Sequence, residues 1–367
     1  MYRSRRRKSI PVLNVNGTFY DVGYDIGRTF ATFINDVIDQ HVPLNEIYIP
    51  YYETIRGKNV YAQSLEVVSK FYAHYVRELQ GMADGAKVPF YKLFLIHLDD
   101  ILPNTLKQLC DSKPGCTTIV INNRNEQLLG HVVDAYKIVL NNLFIVKANI
   151  TESVPNEVFT ALCCAGFLPG TMLGSNSYGL VYTINHIFVE NLNLRGIPRT
   201  FVSRALLKAD SSHTVKSILR CAGHGLSDAM SVTFAFLHSR GGADQFYCIE
   251  ASPSYPPTTE SLLNFQEIQG YFHHLNIFQG LNVEEVGLLK IASNTRELSL
   301  RNFAQPTNKY ELINVLGDMS HKVHKIFTDF SSKVISVCVA IFDVKAKTLT
   351  LYLDNPRANQ PCIVLNL

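Results

Sequence analysis

Hydrophobic residues in the first third of the chain recur at steps of three and four. Between residues 17 and 42 the apolar positions are Phe19, Val22, Ile26, Phe30, Phe33, Ile34, Val37 and Ile38. This spacing places them on one face of an amphipathic helix. Residues 60–80 show the same period, and Gly81 and Gly85 predict where that helix ends. A short helix is also expected within residues 90–102, so the first 110 residues are expected to be mainly helical.

The pattern changes at Cys116. From there the chain consists of short runs of β-branched and aromatic residues separated by turn residues, which is typical of strands. The predicted strands cover 117–122, 127–134, 142–150, 157–163, 179–184, 230–238, 245–251, 334–343 and 347–353. Helices are predicted at 199–208, 212–222 and 296–326. Because helices and strands are grouped rather than alternating, the sequence favours an α+β layered fold.

Composition places the chain among well-packed globular proteins. It has 367 residues, of which 47% are hydrophobic and 18% are charged, enough to fill a large core. Five positive charges lie in the first eight residues, so the net charge of +3 leaves −2 for the rest of the chain. A nearly neutral body argues against nucleic-acid binding. The basic head is expected to be a solvated tail, with a nuclear address or a membrane-surface contact as alternatives.

The sequence shows no targeting or metal-binding motif. No apolar segment with a small-residue cleavage site follows the basic head, and no run approaches the roughly 18–20 apolar residues that a membrane span needs. The expected compartment is therefore the cytosol. The eight cysteines are irregularly spaced, so free thiols are expected, and without a CxxC pair a structural zinc site is not. Neither a metal nor a cofactor is expected.

The strongest chemical signal is the pair Gly115-Cys116 before the strand 117–122. Cleavage of this bond would make Cys116 a new N-terminus that carries both a thiol and an α-amine. The unperturbed pKa of such an amine is about 7.7–8.0, which suits a general base near neutrality. Cleavage needs the thiol to attack the preceding carbonyl, and Gly115 has no side chain to obstruct it. Taken alone, the pair is more often a turn before a buried cysteine.

Two stretches after the cysteine carry features suited to a site. In the stretch 130–134, Asp134 lies near the end of a predicted strand, three residues after His131. An odd spacing puts these two side chains on opposite faces of the strand, which argues against a His/Asp dyad. Four glycines between 166 and 179 predict sharp turns of the kind that shape substrate pockets, or a plain connection between strands.

Two further polar residues stand in unusual surroundings. Asn276 lies within the aromatic run 271–278, where a buried amide is costly unless it finds a partner. An amide N–H aimed at a developing oxyanion would provide one. Arg296, in the stretch 293–297, is either an ordinary charge at a helix start or the partner of a carboxylate deep in a site.

In their order along the chain, these stretches resemble the cysteine N-terminal nucleophile (Ntn) hydrolases of the isopenicillin-N acyltransferase family. The resemblance covers nearly the whole chain, from the Gly-rich segment 17–27 through 176–180 and 249–253 to 343–356. It implies a four-layer αββα sandwich of the Ntn-hydrolase type and a precursor that cuts itself before Cys116. The products would be a mainly helical fragment 1–115 and a catalytic fragment 116–367, which stay associated as a heterodimer.

The resemblance also assigns roles to individual residues. It matches Cys116 to the nucleophile, Asp134 to an acidic residue used in processing and catalysis, Asn276 to the oxyanion-binding asparagine and Arg296 to a site arginine. The chain departs from the family at Ile277, where many members have a polar residue. This departure bears on the substrate more than on the nucleophile.

Within that family the chain most resembles the animal branch, whose members split β-alanyl conjugates of biogenic amines. The resemblance therefore implies a cytosolic cysteine amidohydrolase acting on linear amides such as β-alanyl-dopamine and β-alanyl-histamine. The β-alanyl ammonium needs an anionic partner, for which Glu250 or Asp134 is the candidate. Tyr136 or Tyr178 would supply an aromatic wall for the amine. Two alternatives remain: an acyl-CoA-dependent N-acyltransferase, and an uncleaved, non-catalytic binding protein on the same fold.

Overall fold

The computed structural model describes residues 6–99, 101–102, 115–237, 245–329 and 334–367, without the side chains of Leu288 and Leu289. Within these residues two β-sheets lie face to face, and helices cover the outer face of each. The expected α+β fold with four αββα layers is thereby confirmed. Expectations about residues 1–5, Cys110 and Pro114 lie outside the described residues.

The first helical layer comes mostly from the N-terminal part of the chain. It contains α1 (Phe19–Thr29), α2 (Ala31–Gln40), a π-helical turn (Leu44–Tyr48), α3 (Ile49–Tyr52), α4 (Ile55–Ala86) and α5 (Phe90–Ile96), and later α6 (Arg199–Leu206) and α7 (Ser212–Arg220). The single helix predicted over 17–42 is wrong in detail. A capping box between Thr18 and Asp21 starts α1 at Phe19, two residues later, and the helix breaks at Phe30, whose ring stacks on Phe144.

The first sheet lies beneath these helices. Its strands are β1 (Val12–Gly17), β4 (Leu143–Ile150), β5 (Glu157–Cys164), β6 (Leu173–Asn176), β7 (Leu180–Ile187), β8 (Ala229–Phe236), β9 (Phe246–Ser252) and β10 (Leu262–Ile268), adjacent in that order. The strand β1 pairs in parallel with β4, whereas the other pairings among these strands are antiparallel. The N-terminal segment thus forms one edge of a sheet built otherwise from residues beyond 142.

The second sheet is antiparallel and carries the candidate nucleophile. Its strands are β2 (Cys116–Asn122), β3 (Gln127–Tyr136), β11 (Gly270–His274), β12 (Val334–Asp343), β13 (Thr348–Tyr352) and β14 (Ile363–Asn366), in the order β11-β2-β3-β12-β13-β14. Because β2 lies between β11 and β3, both of its edges are hydrogen-bonded. Its first residue, Cys116, pairs with Val133 of β3, and the pairing with β11 begins at Thr118.

Two helices cover the outer face of the second sheet, α8 (Gly287–Arg301) and α9 (Lys309–Leu316). The sequence pattern predicted one helix over 296–326, which is wrong. Pro306 cannot continue a helix, and the Asn308 side chain accepts the Glu311 N–H at 3.0 Å to cap a new one. The earlier start of α8 brings Arg296 to the middle of a helix rather than to its beginning.

Glycines allow α1 and α4 to touch backbone to backbone. A Cβ atom on Gly81 or Gly85 of α4 would lie 2.2 Å from a backbone carbonyl oxygen of α1. A Cβ atom on Gly23 of α1 would lie 1.9 Å from the carbonyl oxygen of Glu78. Gly81 and Gly85 therefore do not end the helix, as their sequence suggested, because close packing on α1 stabilises them inside it.

One residue of the basic head, Arg6, is packed against the second sheet. Its side chain is 7% exposed and pairs with Asp354 at 3.2 Å. Arg7 lies over the ring of Phe33, 4.4 Å from its centroid, but stays exposed. The expectation of a solvated tail is therefore wrong for Arg6. As for membranes, no helix among the described residues is both long and apolar enough to cross a bilayer.

Candidate active site

Cys116 opens β2 on the face of the second sheet that looks toward the first. Alternation along the strand shows this orientation. The Thr118 hydroxyl reaches Asn185 of β7 at 2.6 Å, and Val120 packs in the core between the sheets. The cysteine therefore lies at the end of the space between the two sheets, on a strand whose position is fixed on both sides.

The peptide bond before Cys116 is closely surrounded. The Gly115 carbonyl oxygen accepts the Asp134 N–H at 2.9 Å. A Cβ atom at residue 115 would lie 3.0 Å from Asn276 Oδ1 and 3.1 Å from Arg296 Nη2, which is tighter than nearly all real Cβ contacts. Glycine is thus favoured at this position by its neighbours as well as by access of the thiol.

Asn276, two residues after β11, contacts the nitrogen of the candidate nucleophile. Its Oδ1 accepts the Cys116 N–H at 2.8 Å, and its Nδ2 donates to the His186 carbonyl oxygen at 2.7 Å. The Asn276 N–H donates to Ser293 Oγ at 3.3 Å, which ties the loop to α8. These three bonds satisfy the buried amide and aim its oxygen at Cys116.

Arg296 projects from α8 onto the same peptide. Its Nη1 donates to the Cys116 carbonyl oxygen at 2.7 Å and to Thr117 Oγ1 at 3.1 Å, and its Nη2 donates to Asn276 Oδ1 at 2.6 Å. Burial lowers the pKa of Arg296, but nearby Asp134 and Cys116 oppose this. Because an arginine stays protonated in proteins, it places a fixed positive charge against the backbone of the nucleophile.

Asp134 lies on β3 beside this group. Its Oδ1 accepts the Ser336 hydroxyl of β12 at 2.5 Å. Burial raises the pKa of Asp134 to about 6, against the opposing effects of Arg296 and the Ser336 hydrogen bond. The expected separation from His131 is confirmed, since His131 instead contacts the Thr118 hydroxyl at 2.8 Å.

The Cys116 thiol is strongly held in its neutral form. Burial, and then the charge of Asp134, raise its pKa to about 12, whereas the Asp134 backbone N–H and Arg296 act in the opposite direction. A thiol with so high a pKa needs a base at the moment of attack. The structure thus brings together the four residues assigned to catalysis and leaves the nucleophile dependent on a proton acceptor.

A cavity of about 120 Å³ opens in front of Cys116. Asp134 and Tyr136 line it, as do Asp99 and His41 from the N-terminal part of the chain. Burial lowers the pKa of His41 to about 4, so its ring is neutral near pH 7. Tyr136 meets that ring edge-on at 5.6 Å between centroids. The described lining thus places carboxylates beside aromatic rings.

Two of the residues assigned to substrate binding lie elsewhere. Tyr178 is on the turn after β6, 39% exposed, and does not line this cavity. Glu250 on β9 also lies outside its lining. The Glu250 carboxylate binds His274 Nε2 at 3.0 Å and the N–H groups of Gly280 and Leu281 at 2.9 and 3.0 Å. Burial raises the pKa of Glu250, but these and similar bonds outweigh burial and lower it overall.

Sequence reasoning missed several polar residues of the site. Ser293 was detectable, because it lies one helical turn before Arg296 and so shares its face. Ser336 was not, since the register shift between residues 336 and 338 of β12 is a property of strand pairing. Asp99 and His41 carry no local signal either, because only the packing of the N-terminal layer brings them to the cavity.

Comparison with known proteins agrees with this geometry. The family model described as acyl-coenzyme A:6-aminopenicillanic acid acyl-transferase matches residues 121–358, more than half of the chain. The Drosophila melanogaster protein named beta-alanyl-dopamine/carcinine hydrolase is 38% identical over 372 residues, covering 97% of this chain and 96% of that protein. This identity over nearly all of both chains makes the protein an amide-hydrolysing enzyme.

Among solved structures, penicillin V acylase from Agrobacterium tumefaciens aligns with 68% of this chain and 84% of its own, at 8% identity and a TM-score of 0.38. That likeness is too weak to bear on the family. The family is identified by the two sequence matches, and the layers and the cysteine site agree with it. The chain belongs to the acyl-coenzyme A:6-aminopenicillanic acid acyl-transferase family of Ntn hydrolases.

Proposed function

We propose that the protein is a self-processed cysteine amidohydrolase that cleaves N-β-alanyl amines, such as β-alanyl-dopamine and β-alanyl-histamine, to β-alanine and the free amine. The observation that carries the proposal is the pair of side-chain hydrogen bonds to the backbone of residue 116. Asn276 Oδ1 accepts from its nitrogen at 2.8 Å and Arg296 donates to its carbonyl at 2.7 Å. A cysteine that served only as core filling would need neither contact. The proposed compartment is the cytosol, where thiols stay reduced.

Self-processing requires a base other than the α-amine, which is still an amide in the precursor. Asp134 suits this role, because a pKa of about 6 leaves it ionised at pH 7. The Cys116 thiolate attacks the Gly115 carbonyl carbon, the C–N bond breaks, and the nitrogen takes the proton. Water then hydrolyses the thioester, which releases the Gly115 carboxylate and restores the thiol. The Asp134 N–H on the Gly115 oxygen helps to bear the developing negative charge.

In the processed enzyme the α-amine of Cys116 becomes the base. Asn276 Oδ1 would hold that amine where it now holds the amide N–H. The amine takes the thiol proton, the thiolate attacks the substrate carbonyl, and the proton passes to the departing amine. One hydrogen of Asn276 Nδ2 is used by His186, which leaves the other for the tetrahedral oxyanion. Water then releases β-alanine from the thioester.

The chemistry of the cavity supports a cationic acyl group. Asp99 and Asp134 line it, and Asp134 already faces Arg296 and Ser336. We assign the β-alanyl ammonium to these two carboxylates of the cavity wall, in place of Glu250, which lies outside the lining. Tyr136 and the neutral His41 ring offer the flat apolar wall that a catechol or imidazole group needs.

Several contacts join the two proposed fragments. β1 hydrogen-bonds to β4 across the proposed cut. Arg204 of α6 binds Glu78 of α4 at 2.8 Å and Glu157 of β5 at 3.0 Å, and all three side chains are buried. The helices before residue 103 also share one hydrophobic core with the first sheet. These contacts support a heterodimer of fragments 1–115 and 116–367.

The test is a mass measurement followed by an assay. Purified wild-type protein should contain a species that begins at Cys116 and should release dopamine from β-alanyl-dopamine. Cys116→Ala should remain one chain and be inactive. An intact wild-type chain would contradict processing and favour the non-catalytic binding protein. Release of amine at the rate of the Cys116→Ala variant would contradict the hydrolase.

The description of the matching family gives reason to test a second activity, acyl transfer from acyl-CoA to an amine. The nucleophile and thioester would be the same, and only the acceptor would differ. Incubating the processed enzyme with β-alanyl-CoA and dopamine separates the two. We expect free β-alanine as the main product. An excess of β-alanyl-dopamine would make the protein a transferase.

A further inference from the structure

Arg6 crosses the end of the second sheet and binds it through three polar contacts. Its Nη1 donates to the backbone carbonyl oxygens of Ser336 at 2.7 Å and of Leu353 at 2.9 Å. Its Nε pairs with Asp354 Oδ1 at 3.2 Å. The guanidinium also lies 5.3 Å from the centroid of the Phe327 ring. A residue near the start of the chain is thus fixed to β12 and to the residues just after β13.

Ser336 is the residue whose side chain reaches the active site. Its hydroxyl donates to Asp134 Oδ1 at 2.5 Å and accepts the Thr328 N–H at 2.8 Å. The Ser336 N–H donates back to the Thr328 carbonyl oxygen at 2.9 Å. The pairing of β12 with β3 shifts register immediately after Ser336. At such an irregularity the ladder alone does not fix the backbone, so the bond from Arg6 to the Ser336 carbonyl gains importance.

We infer that Arg6 is a positioning residue for the active site: by holding the Ser336 carbonyl, it keeps the Ser336 hydroxyl on the Asp134 carboxylate. The N-terminal fragment would then contribute to the chemistry of the catalytic fragment through sheet contacts as well as through the cavity wall. This inference rests on the proposed role of Asp134. It assigns a task to a basic segment that sequence alone described as a solvated tail.

The next residue, Arg7, provides a control for the loss of one positive charge in this part of the chain. Arg7 carries the same charge one position away, but its guanidinium lies over Phe33 of α2, within the same fragment. Its backbone N–H binds Asn141 Oδ1 at 3.2 Å, a bond that a side-chain substitution keeps. Arg7→Met therefore removes one positive charge and one ring contact without touching β12. Arg6→Met removes the same charge together with the two carbonyl contacts.

The charged and titratable groups around Asp134 must stay constant in the test. They are Arg296 from α8 and Cys116 from β2, with Arg6 itself behind Ser336. Around Arg6 they are Asp354, Asp329 and Cys338. Arg6→Lys keeps the positive charge among these groups, but a single ammonium replaces the Nη1 that binds two carbonyls and the Nε that pairs with Asp354. A change shared by Arg6→Met and Arg6→Lys therefore reports geometry rather than charge.

The experiment compares Arg6→Met, Arg6→Lys, Arg7→Met and Ser336→Ala with wild-type protein, measuring the rate of self-processing against pH by mass spectrometry of freshly synthesised chains. The Ser336 bond lowers the pKa of Asp134, the proposed base of processing, so loosening this bond should move the acid limb of the processing rate upward, by up to about one pH unit. We expect this shift in both Arg6 variants and in Ser336→Ala, but not in Arg7→Met. Adding Arg6→Met to Ser336→Ala should produce no further shift.

A wild-type acid limb in both Arg6 variants would overturn the inference, even if their thermal stability fell. If Arg6→Met fails to fold, Arg6→Lys decides the matter alone. Asp134→Asn separates this failure from that of the proposed function. Should Asp134→Asn process itself and turn over like wild type, the role of Asp134 is wrong and the Arg6 inference falls with it. An inactive Asp134→Asn with silent Arg6 variants would overturn the Arg6 inference only.

Discussion

Asn276 Oδ1 accepts the backbone N–H of Cys116 at 2.8 Å, although 160 residues separate the two in the chain. The same oxygen also accepts Arg296 Nη2 at 2.6 Å. The oxygen is therefore held by the Arg296 guanidinium on one side and accepts the nitrogen of residue 116 on the other. Whether the nitrogen of residue 116 belongs to an amide or to a free amine, the Asn276 side chain sets its position.

Asn276→Ala is expected to lower kcat by about 100- to 1,000-fold, because it removes the proposed oxyanion donor together with the anchor of the α-amine. The comparison is Asn294→Ala, which makes the same chemical change at an exposed position of α8. Steady-state kinetics with β-alanyl-dopamine measure both. An Asn276→Ala variant within threefold of Asn294→Ala would show that the oxyanion is held elsewhere.

Gly115→Ala should slow self-processing by about 10- to 100-fold, the cost of roughly 1–3 kcal/mol of overpacking against Asn276 and Arg296. A chain whose residue 116 is exposed by another route, for instance by co-expressing fragments 1–115 and 116–367, should keep its amidase rate. Gly287→Ala is the control, since a Cβ atom there meets nothing within 4 Å. Mass spectrometry over time after synthesis follows the cut. Equal rates for the two variants would contradict the crowding argument.

Asp134→Asn should abolish processing yet stabilise the fold at alkaline pH. The folded pKa of about 6 lies above the usual 3.8, so the folded state binds more protons than the unfolded one between pH 4 and 6. Stability contributed at this site is present below that window and is lost as pH rises through it. The neutral amide should therefore raise the free energy of unfolding at pH 8 by about 1–3 kcal/mol, and by nothing near pH 3.

Chemical denaturation at the two pH values measures this difference for Asp134→Asn in a Cys116→Ala background, in which neither protein can cut itself and both unfold as one chain. Asp39→Asn, an exposed carboxylate on α2, should change the free energy of unfolding by less than about 0.5 kcal/mol at either pH. An Asp134→Asn variant that is less stable than wild type at pH 8 would mean that the bond to Ser336 and the charge of Arg296 outweigh burial.

Asp99→Asn should raise KM for β-alanyl-dopamine by about tenfold or more while leaving kcat less affected, because it removes one of the two carboxylate charges assigned to the ammonium. N-propionyl-dopamine has the same amide and no ammonium, so its kcat/KM should be nearly the same in variant and wild type. The quantity to measure is the ratio of kcat/KM for β-alanyl-dopamine to kcat/KM for N-propionyl-dopamine. If Asp99→Asn keeps the wild-type preference, another group binds the ammonium.

Glu78→Ala should weaken the association of the two fragments. It leaves the buried Arg204 guanidinium with Glu157 alone, and breaking a buried ion pair costs about 3–5 kcal/mol. Glu66→Ala, an exposed change on the same helix, is the control. Size-exclusion chromatography in increasing urea reports when fragment 1–115 separates. Separation of both variants at the same urea concentration would show that the ion pair does not hold the fragments.

The sequence was sufficient for the layers and for the residues around the cysteine, and each success has a local cause. The β-branched run of β2, the period of α4 and the polar residues inside apolar runs are all visible over ten or twenty residues. A resemblance in order and spacing then linked Cys116, Asp134, Asn276 and Arg296. The structure places these four in one group.

The failures have a common physical origin in contacts between distant parts of the chain. The sequence pattern predicts that Gly81 and Gly85 end a helix, because the α1 residues whose close approach stabilises them inside α4 lie far away in the chain. Glu250 looked available for an ammonium, because the turn that brings the Gly280 and Leu281 N–H groups to it follows thirty residues later. Arg6 looked solvated, because its partners lie on the last strands of the second sheet.

The parallel pairing of β1 with β4 affects how the two fragments can reassemble after they separate. In the precursor that strand is tethered, and the sheet closes within one molecule at any concentration. If the bond before Cys116 is cut as proposed, a second chain must supply the same edge, and dilution opposes its return because the association is second-order. Under the proposed processing, an enzyme that loses its N-terminal fragment regains it only by binding a free fragment.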